Sequence, residues 1–241
     1  MRRRSKILIG VGAVVVLAVV GGILYLLLGE GDGPAELSFD DATTTTARAS
    51  GGSGGSSTTS AVPVAVDGSW VATDGSRAGY RVLEDRLGGA ANLEAVGRTD
   101  RVTGGFTVSG TTVSDVTFTV DVASISSDSG LRDGQFRGRI MEADRFPTAT
   151  FAADPIQLDA VPPPDGSTVE VPVTGRLTLR GVTRDVSSTV QVRHTADQVQ
   201  VLGRIPVRFS DWGIDTPSPP GLSVRDNGTV EFLVVAVKQQ G

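Results

Sequence analysis

The chain has 241 residues, one histidine and no cysteine, and its formal net charge at pH 7 is −5. The absence of cysteine excludes disulfides and thiolate metal sites, so an apolar core must supply the stability. Four positive charges lie in the first six residues, and the rest of the chain therefore carries about −9, a balance that repels phosphate backbones and argues against nucleic acid as a partner.

The N-terminus, residues 1–28, predicts a membrane anchor. The sequence MRRRSK precedes an uncharged apolar stretch at residues 7–28, which is long enough to cross a hydrocarbon core of about 30 Å as one helix. The stretch is longer than the apolar part of a signal peptide and has no small-x-small cleavage site, so we expect it to remain uncleaved. Because basic residues stay on the cytoplasmic side, everything after residue 28 is expected outside the cytoplasm.

Residues 29–66 are predicted to be a flexible linker. They are rich in Gly, Ser, Thr and Ala and poor in large apolar side chains, a composition that does not bury enough surface to fold. The GGSGG run at residues 51–55 lacks the Gly-Lys-Ser/Thr ending of a phosphate loop, so we interpret it as spacer. The remainder, residues 67–241, has the size of one domain.

Alternation of apolar and polar residues predicts that this domain is mainly β. In TTVSDVTFTVDVASI, one strand face carries Val116, Phe118, Val120 and Val122. The same alternation in residues 170–179 and 199–209, with weaker signals elsewhere, indicates about eight or nine strands. We favour an antiparallel β-barrel of about eight strands over a sandwich, because closure removes the free edges.

Turns and short helices are expected between the strands. In GRLTLRGVTRDV, two alternating runs meet at Arg180-Gly181, which predicts a hairpin, and Asn227-Gly228 is expected to form another hairpin turn. One or two short helices complete the prediction. A helical turn or two is expected in RLGGAANLEAVG, and the other helix lies between a cap at residue 127 or 128 and the proline at 147.

Residues that could carry chemistry are sparse. His194 ends a predicted strand and is expected to be a loop or rim residue. Because the chain has no second histidine and no cysteine, the usual set of zinc ligands is not expected. No Gly-x-Ser-x-Gly elbow is present. The carboxylate pairs Asp211 with Asp215 and Glu142 with Asp144 are interpreted as solvated turn residues rather than as an acid/base pair. The sequence therefore predicts no enzyme, no cofactor and no metal.

Arginines are candidates for gripping a phosphate at the mouth of a pocket, because guanidinium binds phosphate oxygens in pairs. The arginines considered are Arg98, Arg101, Arg132, Arg137, Arg139 and Arg145. For each of these arginines, the alternative is that it is an ordinary solvated side chain on the protein surface. Of these, Arg98, Arg132 and Arg137 are retained as head-group candidates.

Five stretches of the domain carry a resemblance through their order and spacing. They are VDVASI at 120–125, LRD and FR at 131–137, RFPTATF at 145–151, TGRLTLRGVT at 174–183, and RFSDWGI at 208–214. Together they resemble the YceI-like family, lipocalin-like barrels that bind polyisoprenoids. Gly134-Gln135 departs from the usual pattern, in which a longer side chain, often Lys followed by His, stands after the Arg-Asp pair. Members are usually soluble exported proteins, so the anchor and linker are additions that argue for tethering.

The resemblance implies that residues 177–179 and 182–183 are neighbouring barrel strands joined by a two-residue turn at 180–181. Arginine in place of asparagine there favours a type II-like or bulged turn. The enclosed face would be apolar, with a cavity for an extended hydrocarbon chain. The expected lining residues are Phe106, Phe118, Val120, Phe136, Phe146, Phe151, Leu177, Leu179, Val207, Phe209 and Trp212.

The function implied by the resemblance is that of a tethered, non-enzymatic carrier of a polyisoprenoid or similar long-chain lipid. Barrels of this family can pair, so a homodimer is a further implied partner. Two alternatives stay open. The same residues can fill a dry core in a structural module of the cell envelope, or the barrel can host a lipid hydrolase or isomerase.

Overall fold

The computed structural model describes residues 33–43, 66–86, 91–195 and 197–239. The predicted membrane span at residues 7–28 lies outside these ranges, as do residues 29–32 and 44–65 of the predicted linker. In the ranges that are described, no helix is both long and apolar enough to span a bilayer.

Eleven antiparallel strands make up the sheet in these ranges. They are β1 (Gly68–Ala72), β2 (Arg77–Arg86), β3 (Ala91–Thr99), β4 (Val102–Ser109), β5 (Thr112–Asp121), β6 (Thr148–Ala153), β7 (Ile156–Gln157), β8 (Thr168–Leu179), β9 (Val182–His194), β10 (Gln198–Arg208) and β11 (Leu222–Lys238). Because β1 pairs with β4 on one side and β11 on the other, the sheet closes on itself.

The closed ring has the order β1-β4-β5-β6-β8-β9-β10-β11, so the predicted antiparallel barrel of about eight strands is confirmed. The hairpin of β2 and β3 pairs with the first part of β11 and extends the wall beyond the ring. The predicted alternation is also confirmed. Along β8, for example, Val171, Val173, Leu177 and Leu179 are buried while most residues between them are exposed, which places the apolar face inside the barrel.

A cap, residues 122–147, covers one end of the barrel. It contains a 3₁₀ turn (Val122–Ser124), helix α1 (Gly130–Gln135) and a π-helical turn (Phe136–Ile140) that continues α1. The N-cap of α1 is Ser129, slightly later than predicted. The prediction of a helical turn after residue 85 is wrong for residues 91–99. These residues pair with β2 along its length and form β3.

The Arg180-Gly181 pair forms the two-residue turn between β8 and β9, since Leu179 pairs directly with Val182. The predicted turn type is wrong. Both residues have positive φ, 48° at Arg180 and 74° at Gly181, as in a type I′ turn. An arginine tolerates this backbone here because its guanidinium donates to the Glu142 carboxylate and the Gly213 carbonyl.

The Asn227-Gly228 pair does not form the predicted hairpin turn. Both residues lie within β11, which pairs without a break with β10 from residue 227 to residue 237. On the other edge of β11, the pairing with β2 shifts register between Val224 and Gly228. The pair therefore accompanies a β-bulge, in which extra residues of one strand oppose a shorter stretch of the other.

Part of the predicted flexible linker packs against the barrel, which corrects that prediction for residues 33–43, here called the strap. Leu37 is 1% exposed and Phe39 is 8% exposed, in a cluster with Leu202, Leu233 and Val235 on the outer face of β10 and β11. Burial of both apolar side chains supplies the energy that a Gly/Ser-rich coil lacks. The strap also contains a 3₁₀ turn, Phe39–Thr43.

Candidate functional site

The barrel encloses an apolar cavity of about 180 Å³, here called the inner chamber. Inward-facing Val, Leu, Ile, Phe and Ala side chains from the ring strands line most of it, and the polar side chains at its wall are Thr150 and His194. Such a lining attracts hydrocarbon and does not hold water, which needs two or more polar partners.

A second cavity of about 680 Å³, the outer chamber, lies between the ring and the cap. Its volume is within the range of about 300 to 1,000 Å³ typical of ligand pockets. The walls come from β2, the cap and residues 214–224. Exposed side chains such as Leu131 and Arg139 belong to the lining, so this chamber reaches the surface.

The two chambers adjoin. Ala78, Val120, Ala149, Leu179 and Val230 line both of them. Together the two chambers extend from the His194 end of the barrel to the cap. Two of the shared residues, Ala78 and Ala149, have small side chains.

Side chains inside the barrel retain accessible surface. Phe118, Val120, Phe151, Val201 and Phe232 belong to the interior clusters, yet each is only half-buried. Strand residues that meet across a solid core are normally close-packed and fully buried. Partial burial of inward-facing residues indicates that they border a hollow interior.

Eight of the eleven predicted lining residues line one or both chambers. The inner chamber is lined by Phe106, Phe118, Val120, Phe151, Leu177 and Leu179, and the outer chamber by Val120, Phe136, Leu179 and Phe209. Period-two alternation placed most of these residues on the inward face, and Phe136 reaches the chamber from the cap.

The other three predicted lining residues border neither of the two chambers. Val207 and Trp212 are packed in the cluster between the barrel and the cap, where Trp212 Nε1 donates to the Leu177 carbonyl at 3.2 Å. Phe146 lies against the Gly181 turn, where a methyl group on Gly181 would meet its ring at 2.7 Å. Their side chains fill space at the end of the barrel instead of lining the void.

Only Arg132 of the three head-group candidates borders a chamber. It lines the outer chamber and pairs with Glu84 at 3.3 Å. Arg98 instead pairs with buried Glu231 at 2.6 Å beneath the strap, and Arg137 donates to the Ile125 carbonyl at 3.4 Å. Arg98 and Arg137 therefore lie away from the two chambers.

Further polar residues of the outer chamber were not selected from the sequence. Glu84 is 5% exposed and pairs with Arg86 at 3.0 Å as well as with Arg132, and Arg139 of the cap also lines the chamber. Three arginines and one glutamate line the chamber, and Arg132 also pairs with Asp128. The mouth therefore has several charged groups, which favour a strongly polar group of the ligand there. Tyr80, Val82, Glu84 and Arg86 are alternate residues of β2 and lie on the same face of the strand. This alternation was the pattern in the sequence from which Glu84 could have been selected.

Tyr80 lies in the outer chamber next to these charges. Its ring stacks on that of Phe136 with centroids 4.8 Å apart and an interplanar angle of 21°. Burial raises the pKa of Tyr80 to about 12; nearby Arg132 lowers the pKa by a smaller amount, and the neighbouring carboxylates raise it further. The phenol is therefore neutral at physiological pH, and its hydroxyl can donate or accept a hydrogen bond.

His194 ends β9 as predicted but is buried, with 3% exposure, and not a rim residue. Its Nδ1 lies 3.0 Å from the Pro162 carbonyl. A carbonyl only accepts, so Nδ1 carries the proton. The ring also meets Trp70 edge-on at 6.2 Å. These contacts tie the loop after β7 to the barrel wall, and within the described ranges no cluster of three His, Asp or Glu residues could hold a metal ion.

The closed antiparallel ring, the hollow apolar interior and the cap together define a lipocalin-like β-barrel. The chain belongs to the YceI-like domain family, whose model matches residues 71–236. The resemblance noted in the sequence is thereby confirmed. No curated protein matches the chain in sequence.

The chain is similar to several solved structures. A polyisoprenoid binding domain from Saccharophagus degradans, implicated in plant cell wall breakdown, aligns with a TM-score of 0.54 and 14% identity over 72% of this chain and 99% of that domain. BcnA from Burkholderia cenocepacia aligns with a TM-score of 0.48 and 20% identity over 66% of this chain and 96% of BcnA. A YCEI protein from Campylobacter jejuni aligns with a TM-score of 0.47 and 15% identity, covering 58% of this chain and 82% of that protein.

Proposed function

We propose that this protein is an extracytoplasmic, membrane-tethered binding protein that holds a polyisoprenoid or similar long-chain lipid inside the barrel. The observation that carries the proposal is the hollow interior, in which the inner and outer chambers adjoin and share five apolar lining residues. Membership of the YceI-like family and the polyisoprenoid binding of the Saccharophagus degradans domain support the same ligand class.

Hydrocarbon burial alone supplies the affinity for such a ligand. Each buried CH₂ group contributes about 0.8 kcal/mol, so a chain of about 20 carbons offers on the order of 15 kcal/mol before the costs of association. Those costs amount to roughly 4–15 kcal/mol. A long chain is therefore retained and a short one is not, which favours isoprenoid-length ligands.

The polar group of the lipid lies at the mouth in this proposal. Arg132, Arg86 and Arg139 line the outer chamber there, whereas the inner chamber has an almost wholly apolar wall. The protein binds its ligand without a chemical step. His194 is committed to the Pro162 carbonyl and has no serine or aspartate among its hydrogen-bond partners in the described residues, so no nucleophile is activated there.

The sequence supports the tethering part of the proposal. The uncharged stretch at residues 7–28 follows a basic N-terminus, which supports a single span with the barrel on the extracytoplasmic side. A tethered barrel stays near the membrane, where long-chain lipids reside.

The proposal is tested by measuring lipid that co-purifies with the full chain in detergent. Ala149→Phe places a ring at the boundary that the two chambers share, and Ala152→Phe makes the same change on β6 at a residue outside the interior clusters. Organic extraction and mass spectrometry are expected to show about one long-chain lipid per wild-type chain, a similar amount in Ala152→Phe, and at least a tenfold loss in Ala149→Phe.

Lipid bound loosely around the membrane span is the same in all three proteins, so the difference reports the barrel interior. Circular dichroism establishes that both variants retain the β-barrel. Equal lipid in all three folded proteins, or no long-chain lipid in the wild type even after exposure to polyprenyl phosphate, would refute lipid carriage and leave a structural module of the cell envelope.

A further inference from the structure

We infer that the capped end of the barrel rests on the surface of a lipid bilayer, so that the outer chamber opens toward the membrane. This inference depends on the proposed tethering and adds to it an orientation and a contact surface. It draws on the path of the strap, the composition of the rim and the charge of the opposite end.

The strap runs along the outer face of the barrel in a defined direction. At its start, Gly33 lies against the Glu94 carbonyl of β3, and the Pro34 carbonyl accepts from Arg81 at 2.8 Å. At its end, the Ala42 carbonyl lies beside Gly75, at the junction between β1 and β2. Because β2 and β3 extend toward the cap and β1 toward the His194 end, the strap begins on the capped half.

The predicted membrane span ends close to that starting point. Residue 28 is five peptide units before Gly33, and five fully extended units reach at most about 18 Å. In the proposed topology, the outer boundary of the bilayer therefore lies within that distance of Gly33. The docked strap thus keeps the capped half of the barrel nearer to the membrane than the His194 end.

The rim of the outer chamber has an apolar surface suited to a bilayer. Leu131, on the first turn of α1, is 78% exposed, the largest exposure among the large apolar side chains of the described residues. Pro217, Pro219 and Leu222 also line this chamber. Grouped apolar side chains at an opening, with Arg139 beside them, match an interface that meets acyl chains and anionic head groups.

The opposite end of the barrel has the wrong charge for such a contact. Its loops carry the exposed aspartates Asp67, Asp159, Asp165 and Asp197. Anionic lipids give a bilayer a negative surface potential, which repels acidic loops and attracts arginines. The capped end also carries exposed aspartates, such as Asp128, Asp211 and Asp215, so the apolar rim and the path of the strap decide which end meets the bilayer. In this orientation a lipid can pass between bilayer and outer chamber without crossing water.

The absence of cysteine allows a direct test with the full chain. Leu131→Cys and, at the opposite end, Val161→Cys each introduce a unique thiol for a fluorescent probe; Val161 is the matched position because it is the other exposed large apolar residue in the described ranges. Each labelled protein is reconstituted into vesicles of phosphatidylcholine and phosphatidylglycerol with the barrel outside. Lipids that carry a nitroxide near the head group serve as the quencher.

We expect the nitroxide lipids to quench the probe at residue 131 at least threefold more than the probe at residue 161. Equal quenching, or stronger quenching at residue 161, would overturn the inferred orientation while leaving tethering and lipid carriage intact. Failure of the full chain to float with vesicles would instead refute tethering, and with it this orientation, whereas the lipid-extraction result stands independently.

Discussion

Tyr80 of β2 and Phe136 of the cap stack face to face, with ring centroids 4.8 Å apart. The pair joins a strand of the extended wall to the helical segment that roofs the outer chamber. Both rings also line that chamber, so one contact holds the cap in place and forms part of the proposed lipid site.

Phe136→Ala is expected to loosen the cap. Removing a buried aromatic ring typically costs about 3–5 kcal/mol, and here it also removes the stacking partner of Tyr80. We expect lower stability and, with a fluorescent polyprenyl analogue, release at least tenfold faster than from the wild type. The matched control is Phe146→Ala, which removes a ring that borders neither chamber. Unchanged release from folded Phe136→Ala would contradict the role of the cap.

Alkaline pH is expected to destabilise the protein through Tyr80. Its pKa is raised to about 12 in the folded state by burial, against about 10 in the unfolded chain. The unfolded state therefore loses its proton first, and stability falls as pH rises from about 10 to about 12, by at most roughly 3 kcal/mol.

The measurement for this effect is denaturant unfolding between pH 9 and pH 12, compared with Tyr80→Phe. The difference between the two proteins isolates the phenol, because every other titrating group is shared. A wild-type curve that runs parallel to that of Tyr80→Phe over this range would show that the Tyr80 phenol is not shielded from water.

Leu37→Ala is expected to detach the strap. Leu37 is 1% exposed against Leu202, Leu233 and Val235, and Leu→Ala in such sites costs about 2–5 kcal/mol. Hydrogen exchange of residues 33–43 should accelerate, since few other apolar contacts hold them. Leu131→Ala, the same change at an exposed site, should leave stability within about 0.5 kcal/mol. Equal effects of both substitutions would contradict docking of the strap.

Gly181→Ala is expected to disturb the β8–β9 turn more than Gly110→Ala disturbs the β4–β5 turn. Both glycines have positive φ, 74° and 58°, so both substitutions carry the cost of a left-handed backbone, about 1 kcal/mol. Only at Gly181 would the added methyl group meet a ring, that of Phe146 at 2.7 Å. Thermal unfolding should show a larger loss of stability for Gly181→Ala than for Gly110→Ala. Equal losses of stability would mean that the Phe146 ring moves aside without an energetic cost.

The apolar run at the end of β11 is visible in the sequence, but its structural meaning is easily misread. Leu233 and Val235 face the strap, whereas Val234 and Ala236 face the barrel interior. A strand that is apolar on both faces is covered on both faces. The run therefore indicated a second covering layer, although nothing local identifies residues 33–43 as that layer.

The sequence by itself determined the barrel strands, their inward faces and the two-residue turn at Arg180-Gly181. These features follow from period-two alternation and short turns, which are local properties of the chain. Tertiary structure decided which inward residues border a void. Phe118 and Trp212 both come from apolar patterns. A folded-back turn inserts Trp212 beneath the cap, whereas no element of the described part of the chain fills the space beside Phe118. A cavity is the volume that distant segments leave unfilled, so local patterning cannot specify it.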